Sequence, residues 1–99
     1  MAEILDLGIV FDRDEILNSP DYIGQEGYGY CSKAGNEALR LMATTEGILL
    51  DPIYTGKALS GLINLSNTGE IGPEETVVFL HTGGTPALFA YTDELGNRA

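Results

Sequence analysis

Residues 77–91 read Val-Val-Phe-Leu-His-Thr-Gly-Gly-Thr-Pro-Ala-Leu-Phe-Ala-Tyr. Val77 to Leu80 is a short apolar run rich in β-branched and aromatic residues, which predicts a strand buried on both faces. His81 and Thr82 bring it to its carboxyl end. Gly83 and Gly84 let the backbone turn there and come close to a ligand. Thr85 is placed as a helix N-cap and Pro86 as the first helical residue. Strand, glycine turn and helix start together make a corner for an anion or a flat ring, because ligands in open α/β sheets sit at the carboxyl ends of strands. An ordinary strand-to-helix connection carries the same letters, so the turn alone is a weak signal.

Working outward, Ile48-Leu49-Leu50 is a second buried strand, broken by Asp51-Pro52. Before it, Ser32 caps a helix running to about Thr45, with Ala34, Ala38, Leu39, Leu41 and Met42 at three- and four-residue spacing and Gly47 as the left-handed stop. After it, residues 56–66 form a helix with Ala58, Leu59, Leu62, Ile63 and Leu65 facing inward. Asn67 to Pro73 is a loop, residues 86–91 are helical, and 92–99 are a polar, frayed tail. Residues 1–21 are a lead-in: a helix tail over 2–7 stopped by Gly8, an apolar triplet at 9–11 that reads as a short strand, an acidic turn over 12–17 and a loop over 18–21. Residues 22–30 hold three glycines and three tyrosines, which reads as a loop that sets tyrosine rings against something. Tyr22 is read as filling the edge of a core.

The order helix, strand, helix, strand, helix predicts an α/β fold with a parallel pair and a right-handed crossover. Two short parallel strands cannot hide both faces and both edges of a sheet. The 99 residues, one domain at most, are therefore expected to be part of a larger α/β protein or of an obligate assembly.

Composition narrows the function. The formal net charge of −10 argues against nucleic acid and anionic membrane as partners. No apolar run approaches the ~18 residues of a membrane span. Cys31 and His81 are each the only residue of their type, so cysteine or multi-histidine metal centres are not expected and the metal expectation is none. A single cysteine fits a reducing cytoplasm.

Three stretches carry a resemblance: Tyr28-Gly29; Thr45-Glu-Gly-Ile-Leu-Leu-Asp-Pro-Ile-Tyr-Thr-Gly-Lys57; and Phe79-Leu-His-Thr-Gly-Gly-Thr-Pro-Ala-Leu-Phe-Ala-Tyr91. Together they resemble the C-terminal part of the D-cysteine desulfhydrase and 1-aminocyclopropane-1-carboxylate deaminase family, over Tyr22 to Tyr91. That family is pyridoxal-phosphate-dependent and has the tryptophan-synthase-β-like fold, a parallel-sheet three-layer architecture (fold type II). The resemblance implies that Tyr28 and Tyr54 are catalytic tyrosines near the substrate. It implies that Thr82, with Thr55 and Gly83, is on the cofactor side, the Thr82 hydroxyl toward the pyridine nitrogen. Where the deaminase branch has glutamate and leucine, this chain has Thr55 and Thr82, which favours the desulfhydrase. Cys31 stands where the family has proline and is read as packing.

The implied reaction is elimination from D-cysteine to pyruvate, ammonia and sulfide; ring-opening deamination or a cysteate sulfo-lyase are the relatives to weigh. The Schiff-base lysine, the substrate-binding serine and asparagine region, and the phosphate-binding glycine loop have no match here. Lys57 is read as packing or surface charge, Lys33 as solvated, His81 as locally bonded, and Glu46 and Asp51 as backbone caps. The chain is thus expected to be a C-terminal portion, inactive alone, that binds pyridoxal phosphate only with the N-terminal part and is a homodimer when complete. A non-catalytic interaction module using the open sheet edge is the reading from another class.

Overall fold

A computed structural model of the chain describes Gly8, Asp12 and residues 20–96. The helix tail over 2–7, the triplet at 9–11, most of the acidic turn and the last three tail residues lie outside the described residues.

Two packed helices form the frame. Helix α1 spans Lys33–Glu46. Ser32 caps it as the sequence predicts: its backbone is extended and its Oγ accepts from the Gly35 N–H at 3.0 Å. Gly47 ends it at φ 67°, and its N–H donates to the Ala43 carbonyl at 3.1 Å. Helix α2 spans Thr55–Asn67. The two cross closely because Gly56 has no side chain. A Cβ there would stand 2.7 Å from the Asp51 carbonyl oxygen and 3.0 Å from that of Gly35.

The core is Ala38 and Leu39 from α1, Leu59 from α2, and Leu50 from the connection between them. Met42, Leu62, Ile63, Phe79, Leu88 and Leu95 pack around these. The inward faces are narrower than the spacing predicts. Ala34 and Leu41 of α1 and Ala58 of α2 are exposed, because each helix is covered only on the side that meets the other helix and residues 79–95.

The two expected strands are where the structure departs most from the sequence reading. Residues 48–50 and 77–80 are irregular, and no strand pairing occurs among the described residues. Leu50 is buried, but Val78 is 87% and Leu80 76% exposed. A strand needs a ladder partner, and none stands beside either run among the described residues. Instead, the His81 ring joins the two segments. Its Nδ1 accepts from the Gly83 N–H at 3.0 Å and its Nε2 lies 2.8 Å from the Leu49 carbonyl. With Nδ1 accepting, Nε2 is the protonated nitrogen and donates.

Two further corrections concern the end of the chain. The expected cap Thr85 is itself the first residue of a 3-10 stretch, Thr85–Ala90, and Gly84 holds the cap position at φ 87° with no side-chain bond. The polar tail begins as a short helix, α3, at Thr92–Gly96, with Asp93 and Glu94 in its first turn. Arg40 of α1 donates to the Leu95 carbonyl at 2.6 Å and ties α3 to the frame. At the other end, Pro20–Tyr22 makes a 3-10 turn. Tyr22 lies on α2 as expected, its ring over Gly61 and its hydroxyl accepting from Asn64 Nδ2 at 2.9 Å. No helix among the described residues is long and apolar enough to cross a membrane.

Candidate functional site

The site is assembled on the Asp51 turn. Pro52 and Asp51 stop residues 48–50 and start α2, and the Asp51 side chain supplies the cap that α2 lacks at its formal N-cap, Tyr54. Asp51 Oδ2 accepts from the N–H groups of Ile53 (2.9 Å) and Tyr54 (2.7 Å), and Oδ1 from the Thr55 N–H (2.8 Å) and hydroxyl (2.6 Å). The Thr55 Oγ1 in turn accepts from the Asp51 N–H at 2.8 Å. Burial raises the Asp51 pKa, but the hydrogen bonds from the Thr55 hydroxyl and from the N–H groups of Thr55, Tyr54 and Ile53 outweigh it, and the carboxyl lies below its ordinary value.

This arrangement aims Tyr54 outward. Its hydroxyl is hydrogen-bonded to that of Tyr28, and the two rings meet edge to face with centroids 5.9 Å apart. The pair lies at the surface of this chain. The bond to Tyr28, then partial desolvation, then repulsion from Tyr28, Asp51 and Tyr91 in their ionised forms, raise the Tyr54 phenol above its ordinary pKa. At neutral pH Tyr54 is therefore a proton donor. The same carboxylate also seats the glycine corner: a Cβ on Gly84 would lie 2.9 Å from Asp51 Cγ and Oδ1.

Between these parts opens an apolar cleft of about 650 Å³, onto which Tyr28, Tyr54, Thr82, Lys57, Phe79 and Ile53 all face. Tyr28, Tyr54 and Thr82, residues 26 to 54 positions apart along the chain, thus share one cavity. The other two expected site residues are engaged elsewhere. Thr55 borders the cleft, but its hydroxyl is buried and both donates to and accepts from Asp51. Gly83 is not on the cleft wall, and its N–H is taken by His81.

Three residues matter more here than their sequence context indicated. Asp51 caps backbone groups as expected, and by taking three successive N–H groups it builds the whole turn. Lys57 is only 5% exposed, and its Nζ donates to the Gly27 carbonyl at 3.2 Å, so it is not a surface charge. Tyr91 donates its hydroxyl to the Gly29 carbonyl at 2.8 Å. The only hint for Lys57 was its place one helical turn before Gly61, on the face that proves buried. Cys31 is half-buried; burial and then the Glu94 charge push its thiol pKa up, which agrees with packing and not with a nucleophile.

Chemically, the cleft offers flat apolar walls, one free-standing hydroxyl at Thr82 and a phenol pair. These suit the face and edge of an uncharged aromatic ring. The N–H groups of residues 53–56 at the start of α2 are already bonded to Asp51 and are not free to hold a phosphate. Among the described residues no three His, Cys, Asp or Glu side chains converge where a metal ion could be held.

Comparison with known proteins agrees with this chemistry. The family model described as pyridoxal-phosphate dependent enzyme matches residues 3–83. Among solved structures, one described as an ACC deaminase homologue is similar at 45% sequence identity, with a TM-score of 0.64. The similarity covers 70% of this chain and 21% of the chain of that structure, so the chain spans about one fifth of that protein's length.

Proposed function

Because the chain belongs to the pyridoxal-phosphate-dependent enzymes, in the family of D-cysteine desulfhydrases and ACC deaminases, we propose that it is the rear wall of the cofactor cleft of a D-cysteine desulfhydrase-like lyase. The observation that carries this reading is the bonded Tyr28–Tyr54 pair on the same cavity as the exposed Thr82. The lysine that would hold the cofactor covalently and the phosphate cradle belong to the preceding part of the fold. Of this chain's two lysines, Lys33 lies on the surface of α1 and Lys57 is bonded to Gly27.

Pyridoxal phosphate, when bound, supplies an electron sink for the substrate's α-carbon. Thr82, on the cleft wall, would offer the cofactor ring a neutral hydroxyl, a weaker pull than a carboxylate would exert. Ile53 and Phe79 give the cleft apolar wall against the ring. Tyr54, held protonated, gives its proton to the departing sulfur or orients the substrate carboxylate, and Tyr28 is its relay. The balanced reaction is D-cysteine and water to pyruvate, ammonia and hydrogen sulfide. Thr55 and Thr82, standing where the deaminase branch has glutamate and leucine, support the desulfhydrase. The exposed Val78 and Leu80 support burial of residues 77–80 in a parallel sheet completed by that preceding part, the lone Cys31 fits a reducing cytoplasm, and the complete enzyme is a homodimer by its family resemblance.

The test is reconstitution. The chain mixed with the lysine-bearing part, pyridoxal phosphate and D-cysteine should release sulfide, and the chain alone should release none. Sulfide from the chain alone, or a mixture that consumes 1-aminocyclopropane-1-carboxylate or cysteate instead, overturns the reading. The same apolar face also supports a second reading, a non-catalytic interaction module, whose signature is a stable complex that turns over no amino acid.

A further inference from the structure

We infer that Lys57 and Tyr91 are positioning residues that hold Tyr28 from both sides. The inference rests on the reading of Tyr28 as a site residue. Tyr28 sits in a loop with little support of its own. Between Ile23 and Cys31 the one backbone hydrogen bond within the loop is Gly27 N–H to Gly24 carbonyl, at 3.2 Å. Gly27 and Gly29 flank the tyrosine at φ 83° and 86°, in the left-handed region where glycine moves most freely. The Tyr28 side chain is 74% exposed, so packing does not fix it either.

Two side chains from distant parts of the chain provide the missing restraint. Lys57 reaches from the first turn of α2 to the Gly27 carbonyl, and Tyr91 reaches from the end of the 3-10 stretch to the Gly29 carbonyl. The two carbonyls bracket Tyr28. Fixing both peptide groups leaves the Tyr28 side chain few directions, and the one it takes ends on the Tyr54 hydroxyl.

The Lys57 side chain divides its work. Its stem packs against α1, with Cγ 3.1 Å from where a Gly35 Cβ would be, and its ammonium alone makes the loop contact. Lys57→Met therefore keeps the packing and deletes the bond. Tyr91→Phe deletes only a hydroxyl.

The readout is the titration of the Tyr54 phenol, followed by NMR in the whole chain with ring-labelled tyrosine and assigned by tyrosine-to-phenylalanine variants. Tyr28→Phe sets the released limit, with Tyr54 back toward the ordinary value near ~10. Lys57→Met and Tyr91→Phe should each move Tyr54 toward that limit and weaken the Overhauser effects between the Tyr28 and Tyr54 rings, which loss of the Tyr91 charge by itself would leave alone, with helical circular dichroism unchanged, and Lys57→Arg should restore both. If both variants stay folded and leave Tyr54 where it was, the inference is overturned. If Lys57→Met loses its helices, the Tyr28–Tyr54 ring Overhauser effects in Tyr91→Phe decide, because that variant also removes Tyr91's own repulsion of the Tyr54 phenolate. Absence of sulfide release from the reconstituted enzyme with the titration shifted as expected would overturn the proposed reaction and leave the positioning intact.

Discussion

Asp51 takes four hydrogen bonds on two oxygens while fully buried. A buried carboxylate is tolerated only with that degree of satisfaction. Asp51→Ala should lower the stability of the chain by about 2 kcal/mol, read from denaturant unfolding, since it strips the α2 cap and leaves the Thr55 hydroxyl proton without its acceptor. The charge gives a pH signature. The folded-state pKa is depressed, so this stabilisation is complete above the ordinary carboxylate value of ~3.9 and is lost as pH falls through the lower folded value. Acid unfolding of Asp51→Ala should be correspondingly flatter than that of the parent chain. Tyr54 has the opposite sign: its raised phenol favours the folded state below the ordinary phenol value, and that contribution goes as pH rises through the folded one. At this scale the sequence was uneven. Tyr28, Tyr54 and Thr82 were legible because neighbouring letters carry a family resemblance. The partners of the Thr55 hydroxyl and the Gly83 N–H, Asp51 and His81, were not legible, because the letters alone do not show which near group each bonds.

Among the elements, caps and stops were the most legible parts. Ser32 and Gly47 bound α1 where local chemistry puts them, because a cap depends on a few consecutive residues. The 3-10 stretch was less so: Gly84 takes the cap position because the turn must fit against Asp51, a contact made across the fold. Gly84→Ala tests that contact. Its Cβ would meet Asp51 at 2.9 Å on a backbone at φ 87°, and each fault alone is costly. We expect a loss of about 1–3 kcal/mol, together with a displaced Tyr54 resonance, because the Asp51 carboxylate also holds the Tyr54 N–H. Unfolding curves and a ¹H–¹⁵N spectrum would check both. A loss of stability with the Tyr54 signals unmoved would separate the corner from the tyrosine.

For the molecule as a whole, what stands out is uncovered apolar surface. Ile48, Leu49, Val77, Val78, Leu80 and Phe89 are all exposed, and soluble monomers seldom leave so much exposed together. Here the composition spoke clearly and the backbone did not. Runs such as Val77 to Leu80 carry the letters of a buried strand, but a strand is a property of a pair, and no partner stands among the described residues. The chain alone should therefore bind a hydrophobic dye such as ANS, and the lysine-bearing part of the fold should displace it as the two associate. Dye fluorescence unaffected by that part would count against the 48–50 and 77–80 face as the joining surface.

Tyr91 and Gly29 are bonded across 62 positions of sequence. Shortening the chain to end at Ala90 would remove no atom from the cavity wall, yet it would slacken the early loop from which one phenol is presented. The late residues thus govern an early one, and the safe place to attach a tag or a dye is beyond the final helix, never in place of it.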